Sequence, residues 1–327
     1  MDPAMHIISV TRILNEDDIV EAFVRHNSRH AAHMVFLDNG STDRTLAILK
    51  SLKDEGFPLS VFQGYSVNFD EVLVNSLLYQ LASQIHKADW IVYLDADEFI
   101  ATDDKNGLEA IFSRRGVEDK AISVPLIRYV QIDDQDKTEL IVPVRMRWRV
   151  PPPTNVFKLF IRGGLSSEIV IDAGNHGGFL DGQKLAAPVE PGIALAHYPR
   201  RNGWQNLHKI ALGRAKTLAA GEAATAQGWS SHYQSAFETL RDKPGELLGN
   251  PAYLNQETDF SSTEEVPLAY LGGPLRYTER TDPALKAFEL GMRYIEQLAK
   301  QHGRLLDQSP EARRLVESWN AERRFLF

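Results

Sequence analysis

The chain has 327 residues, no cysteine and a net charge of −8, with 43% hydrophobic and 24% charged residues. This is a globular composition, and the length suits about two domains or one large α/β domain with an extension. The missing cysteines exclude disulfides, thiolate metal sites and thiol nucleophiles. The negative charge argues against a general nucleic-acid binder, which needs a basic surface.

The expected location follows from the lack of targeting signals. No apolar run approaches the roughly 18 residues that a membrane-spanning helix needs. Residues 1–10 show no basic segment followed by an apolar one, as a secretory signal would. We therefore predict a cytoplasmic protein without a transmembrane segment.

Short apolar runs occur at intervals along the first 130 residues. The runs are Met5–Val10, His33–Leu37, Leu59–Phe62, Trp90–Leu94 and Ala121–Val130. Apolar residues recur at helical spacing between them, for example within Asp17–His30. Strands that alternate with helices predict βαβ units on a mainly parallel sheet, which binds ligands at the carboxyl ends of its strands.

The pattern changes in the later part of the chain. Val142–Arg149 and Phe157–Arg162 read as strands divided by three prolines, and they are expected to complete a first domain over residues 1–200. Residues 201–327 predict a mostly helical extension. That extension could be a helical subdomain, a contact between two copies of the chain, or a cover over the site.

The strongest motif, Leu94-Asp95-Ala96-Asp97-Glu98-Phe99, follows the fourth predicted strand. Two carboxylates one residue apart can both reach one divalent cation, and hard oxygen ligands suit Mg²⁺ or Mn²⁺, which typically bridge phosphate oxygens. The alternative is an acidic turn that caps the next helix. That alternative does not explain the third acid, Glu98, beside a strongly apolar strand.

Two more polar motifs follow the first two predicted strands. Asp38-Asn39-Gly40-Ser41-Thr42-Asp43 contains a tight turn and good helix-capping residues, neither of which requires Asp38. That carboxylate could instead accept a hydrogen bond from a base or a ribose. Thr11-Arg12-Ile13-Leu14-Asn15-Glu16 is expected to line the same crevice, with Asn15 as the cap of the next helix. No glycine-rich phosphate loop follows any predicted strand, which argues against dinucleotide dehydrogenases and nucleoside triphosphatases.

In this order the three motifs resemble those of family 2 glycosyltransferases, and in particular the subgroup with an Asp-x-Asp-Glu-Phe signature, over roughly residues 5–215. The resemblance implies the GT-A fold, a nucleotide-sugar donor, a Mn²⁺ or Mg²⁺ cofactor and inversion at the anomeric carbon. Residues 5–100 would form the nucleotide-sugar half and residues 101–200 the acceptor half. Many members have two consecutive acids where this chain has Asp38-Asn39.

The resemblance also implies roles for individual residues. Asp38 would hold the base of the donor, and Asp95 and Asp97 would bind the ribose and the metal–diphosphate. Further expected donor-site residues are Thr11, Asn15, Glu16 and Asn39. His197-Tyr198 followed by basic residues also resembles the subgroup, so His197 would complete the metal shell.

Residues outside these motifs are also candidates for the site. Glycines around His176 make it a second candidate metal ligand, although an isolated histidine is more often packed or solvated. Three basic side chains could neutralise the departing diphosphate, with a solvated basic face as the alternative. They are Arg200, Arg201 and Lys209.

An inverting transfer needs a base that deprotonates the acceptor hydroxyl. The middle segment offers Glu168, Asp172 and Asp181, of which Asp172 is preferred because it lies between an apolar run and a glycine loop. Three alternating arginines are expected to share one strand face, as a solvated edge or as an anionic acceptor site. They are Arg145, Arg147 and Arg149.

The sequence thus predicts a metal-dependent inverting glycosyltransferase that moves a sugar from a nucleotide-diphosphate sugar, most simply a UDP-sugar, to a carbohydrate hydroxyl. One alternative is a sugar nucleotidyltransferase, which usually has a glycine-rich basic loop after its first strand. Another is a non-catalytic carbohydrate-binding protein, which would not need the paired acids. Homo-oligomers could form through the C-terminal helices.

Overall fold

A computed structural model of the chain describes residues 5–64, 66–67, 70–102, 107–132, 138–250 and 262–322. Strands and helices alternate in the N-terminal third. They are β1 (Ile7–Ile13), α1 (Val20–Asn27), β2 (His33–Asp38), α2 (Thr45–Asp54), β3 (Leu59–Gln63), α3 (Glu71–Gln80), β4 (Trp90–Tyr93), β5 (Glu98–Thr102) and α4 (Gly107–Ser113).

Mostly strands follow, and then mostly helices. The elements of the middle part are β6 (Ala121–Val130), α5 (Val142–Arg145), β7 (Trp148–Arg149), β8 (Phe157–Arg162), β9 (Val170–Ile171), β10 (Gly178–Leu180), β11 (Gln183–Lys184) and β12 (Ile193–His197). Those of the C-terminal part are α6 (Gly203–Ala219), α7 (Glu222–Ala226), α8 (Gln234–Asp242), α9 (Pro244–Leu248), β13 (Glu264–Glu265), α10 (Pro283–Gln308) and α11 (Pro310–Ala321).

The main sheet begins with four parallel strands in the order β3-β2-β1-β4. It continues through β8, which is antiparallel to both β4 and β6. As a result β6 runs in the same direction as β4, and β12 pairs with β6 in parallel. The carboxyl ends of β1, β4, β6 and β12 therefore lie at one edge of the sheet. The expected α/β class, with its parallel N-terminal strands and C-terminal helices, is confirmed.

The parallel strands are covered on both faces, as such sheets must be. Along β4 every residue is buried, and alternate side chains enter two different cores. Trp90 and Val92 pack with Phe23 and Leu49 beside α1 and α2, whereas Ile91 and Tyr93 pack in the core beside α3. Because the strand has no solvent face, it reads as a continuous apolar run in the sequence.

The predicted strand Val142–Arg149 is wrong. Residues 142–145 form the short helix α5, and only Trp148–Arg149 is a strand. Pro143 lies in the first turn of α5, a position where its missing N–H costs nothing, whereas in a strand it would interrupt the ladder. The first helix also begins at Val20 and not near Asp17, because the backbone of Ile19 (φ −135°, ψ −23°) lies outside the helical region.

Two long helices of the extension, α6 and α10, pack against each other. The 26 residues of α10 bury only Leu290 and Tyr294. The outer face of α10 and α11 carries a stripe of exposed apolar side chains. They are Leu285, Phe288, Met292, Ile295, Leu298, Leu305, Leu315 and Trp319. Association of two copies through these helices stays a prediction.

In the described part of the chain, none of the helices combines the length and the apolar character that crossing a bilayer requires.

Candidate active site

A cavity of about 1,100 Å³ opens at the carboxyl edge of β1, β4, β6 and β12. Loops after these strands form its floor, and α6 and α10 form a wall. Asp95, Asp97 and His197 all line it, although His197 follows the two aspartates by about 100 residues in the chain. This is the edge at which ligands bind in parallel α/β sheets.

Asp97 and His197 meet at the centre of this edge. The Nε2 atom of His197 lies 3.5 Å from Oδ1 of Asp97, and one ligand atom each from Asp97, Glu98 and His197 lie within 4.8 Å of one another. The register of β12 against β5 pairs His197 with Glu98, and the Tyr198 N–H donates to the Asp97 carbonyl (2.9 Å). Burial alone would raise the pKa of Asp97, but Lys209 and His197 hold it well below its usual range. Asp97 is therefore an anion close to an imidazole.

Asp95 is held by two cations that the sequence analysis did not select. Arg12 donates to its Oδ1 (2.8 Å) and Lys158 to its Oδ2 (2.5 Å). Lys158 is only 2% exposed and also lies 3.0 Å from Glu98. Glu98 accepts the Asp95 N–H (2.9 Å), and burial raises its pKa to about 7 against the effect of Lys158. Glu98 thus supports the turn that presents the two aspartates.

Arg201 connects the loop after β1 to the Asp97 loop. Its side chain is completely buried, and it contacts Glu16, donates to both oxygens of Asp18 (2.7 and 3.0 Å) and lies 3.5 Å from Asp97. Lys209 lies 3.0 Å from Asp97 and 3.4 Å from Glu16. Both cations line the cavity, and their role at a diphosphate stays a prediction. Because its side chain is completely buried, Arg201 does not belong to a solvated basic face, which was the alternative interpretation.

Asp38 stabilises the turn after β2, which corrects the expectation that this turn does not require it. Asp38 does not line the cavity. It is fully buried, and its carboxylate accepts the N–H groups of Gly40 and Ser41 (3.1 Å each) and the Gln63 amide (3.1 Å). A carboxylate committed in this way is poorly placed to hold a base. The neighbouring Asn39 does line the cavity.

Asn15 joins two loops and is not the cap of the first helix. Its backbone has a φ of 54°, and its Oδ1 accepts the N–H groups of Thr42 (2.8 Å) and Asp43 (3.3 Å). Asn15 lines the cavity, as expected, and the contact fixes the loop after β1 against the loop after β2. Thr11 is buried in β1 and does not line the cavity.

His176 and Asp172 lie in the turn between β9 and β10, which form a small separate sheet with β11. The Nδ1 atom of His176 lies 2.7 Å from the Phe157 carbonyl oxygen, and His176 belongs to no metal-ligating group among the described residues. Asp172 begins a short 3-10 turn, and neither residue lines the cavity. The metal assignment of His176 and the base assignment of Asp172 are therefore corrected. Glu168 and Asp181 also lie outside the cavity lining.

The three arginines do not share a strand face, because Arg145 belongs to α5. Arg147 and Arg149 pair with Glu265 (3.0 Å) and Glu264 (2.8 Å), beside the two-residue strand β13. Only Arg145 lines the cavity.

The extension contributes two residues that sequence reasoning missed, Lys216 of α6 and Gln297 of α10. Lys216 lies seven residues after Lys209 on the same face of α6, and both lysines line the cavity. Burial lowers the pKa of Lys216 to about 8. From α10, Gln297 donates to the Gly40 carbonyl (3.1 Å). The seven-residue spacing in α6 was the available signal, since such residues share a helix face.

No family model matches the sequence, and no curated protein matches it either. Among solved structures, the chain is similar to the mannosyltransferase PcManGT from Pyrobaculum calidifontis in complex with GDP-Man and Mn²⁺, at 12% identity and a TM-score of 0.41, over 98% of this chain and 81% of the other. It is also similar to glucosyl-3-phosphoglycerate synthase from Mycobacterium tuberculosis in complex with Mg²⁺ and uridine-diphosphate, at 15% identity and a TM-score of 0.27, over 37% and 44% of the two chains. Both TM-scores are below 0.5.

Proposed function

We propose that the protein is a glycosyltransferase of the GT-A fold that uses a nucleotide-diphosphate sugar and a divalent cation. The observation that carries the proposal is the meeting of Asp97 and His197 at the carboxyl edge of the sheet, in a cavity of about 1,100 Å³. Arg201 and Lys209 lie beside this pair. The arrangement provides both cation ligands and positive charge for a diphosphate.

The residues present fit a divalent cation. Asp97 and His197 would hold it, and a carboxylate with an imidazole suits Mn²⁺ better than Mg²⁺. Glu98 already bonds to the Asp95 N–H and lies beside Lys158, so it acts as a support for the metal turn. When bound, the cation would neutralise the diphosphate of the donor.

The donor side is proposed to follow the loops after β1 and β2. Asn39 and Asn15 line the cavity there, and an asparagine amide both donates and accepts, as a uracil edge requires. Asp95 is 29% exposed and each of its oxygens has a second lone pair, so it can still accept a ribose hydroxyl. Arg200, Arg201 and Lys209 would stabilise the departing diphosphate.

The acceptor is proposed to bind on the side of residues 101–200, with α6 and α10 completing the cleft. Inversion is proposed from the sequence resemblance, and Asp172 is no longer the proposed base. The configuration of the product at its anomeric carbon, followed by NMR during turnover, tests inversion. Retention of configuration would overturn this part of the proposal.

Ligand-induced stabilisation tests the proposed function directly. At 100 times its Kd, UDP should raise the free energy of unfolding by about 2.7 kcal/mol when Mn²⁺ is present, and much less in excess chelator. GDP under the same conditions tests the choice of nucleotide. Equal stabilisation by UDP with and without chelator would remove the cation from the proposal. Turnover of UTP and a sugar phosphate, with release of pyrophosphate, would identify a nucleotidyltransferase instead.

The His197→Ala variant should affect the activity with Mn²⁺ and the activity with Mg²⁺ to different extents. If His197 is a ligand, Mn²⁺-dependent activity should fall by at least tenfold, and more than Mg²⁺-dependent activity, because Mn²⁺ accepts imidazole more readily. His176→Ala is the matched control, since His176 is exposed and lies outside the cavity. A packing role for His197 would instead lower stability and reduce both activities alike.

A further inference from the structure

Two arginines lie together on the acceptor side of the cavity. We propose that Arg145 and Arg280 bind an oxyanion, either a phosphate or a carboxylate, on the acceptor substrate. That the oxyanion belongs to an acceptor substrate rests on the proposed function. Binding of an oxyanion by the two arginines can be tested without that function.

Both guanidinium groups are anchored to consecutive backbone carbonyls. Arg145 donates from Nη1 to the Glu139 carbonyl (2.9 Å), and Arg280 donates from Nη2 to the Thr138 carbonyl (2.6 Å). Arg145 comes from α5, and Arg280 comes from the segment just before α10. Two distant parts of the chain therefore bring two cations to neighbouring carbonyls, and both residues line the cavity.

A carbonyl carries no full charge, and within the described ranges neither guanidinium forms an ion pair with a carboxylate. Of the acids nearby, Asp18 is held through both oxygens by Arg201, and Glu279 is paired with Arg44. The Glu139 carboxylate accepts the Ile141 N–H (2.6 Å). These acids thus have other partners.

The electrostatics of Arg145 agree with this geometry. Burial lowers the pKa of Arg145, and the nearby charges of Arg201 and Arg280 lower it further, while Asp18 and Glu139 act in the opposite direction. Placing like charges together costs free energy, which a bound oxyanion would offset. Guanidinium groups bind carboxylates and phosphates through two parallel hydrogen bonds, so two of them held in place suit one oxyanion.

The alternative is that both arginines only fasten the 138–145 segment to the rest of the protein. In that case removal of either charge would lower stability without changing the affinity for anions. The measurement must therefore report ligand binding separately from stability.

Inorganic phosphate is the first probe, added to the full-length chain with the donor side saturated by UDP and Mg²⁺. The shift in melting temperature is compared with that caused by sodium chloride at the same ionic strength, and acetate replaces phosphate in a parallel series. We expect a shift that saturates for phosphate or for acetate but not for chloride. If phosphate has the higher apparent affinity, the oxyanion is assigned as a phosphate. If acetate has the higher affinity, it is assigned as a carboxylate.

Variants locate the site. Arg145→Gln should weaken the apparent affinity for the oxyanion at least tenfold, and Arg280→Gln, on an exposed residue, should do the same even if the first variant folds poorly. Arg147→Gln is the matched control, because Arg147 pairs with Glu265 outside the cavity and its loss should leave the oxyanion affinity unchanged.

Equal oxyanion affinity in the wild type and in folded variants, or no effect beyond that of chloride, would overturn the proposal. Since UDP binding is measured separately, failure of the donor site is recognised independently.

Discussion

The Asp97→Asn variant is expected to lose on the order of 10³-fold in transfer rate, or about 4 kcal/mol in the activation barrier. The substitution keeps the size of the side chain but removes the charge that would hold the cation. It should also abolish the Mn²⁺ dependence of stabilisation by UDP. Arg201 keeps Glu16 and Asp18 as partners, so the variant should remain folded.

Steady-state rates and denaturant unfolding curves of the same preparation check this expectation. Asp54→Asn is the control, since Asp54 is 63% exposed on α2 and pairs only with Lys50 among the described residues. A folded Asp97→Asn variant with near-normal turnover would show that the reaction takes place elsewhere.

The Arg201→Met variant should lose about 3–5 kcal/mol of stability. Methionine fills much of the volume, but the buried Glu16 and the partly exposed Asp18 would both lose the guanidinium that compensates them. Burial raises the pKa of Glu16 even in the presence of Arg201 and Lys209, and loss of the guanidinium should raise this pKa further. The free energy of unfolding in urea measures the effect.

Two comparisons make the Arg201 result specific. Arg201→Lys restores a charge but not the bonds to both oxygens of Asp18, so its stability should lie between those of the wild type and Arg201→Met. Arg147→Met removes an exposed ion pair and should cost less than 1 kcal/mol. A loss below about 1 kcal/mol for Arg201→Met would show that water reaches the two acids.

Much of the parallel half of the sheet could be predicted because its strands are local apolar runs. The limits of β6 and of the antiparallel strand β8 match the prediction, and those of β1 to β4 differ from it by at most three residues at an end. One signal within β8 was overlooked. Lys158 interrupts an apolar strand, and a lysine in such a place must pair with buried acids, here Asp95 and Glu98.

The site was harder to predict because its contacts are long-range. The motifs indicated Asp97 and His197 separately, but only the pairing of β12 with β5 brings them together. The burial of Asp38 depends partly on Gln63, which is 25 residues away. The direction of Asp172 depends on the small sheet around it, which no local pattern indicates.

The contacts of α10 also have a consequence for biosynthesis. Gln297 bonds to Gly40, 257 residues earlier in the chain, and the side chain of Gln301 accepts the Val67 N–H (3.0 Å). At about 5–20 residues per second, these partners are made on the order of 10–50 seconds apart. The parallel strands can thus fold on the ribosome before α10, which bonds to the loops after β2 and β3, has been synthesised. A nascent chain should acquire nucleotide affinity late, in one step, when α10 emerges from the exit tunnel.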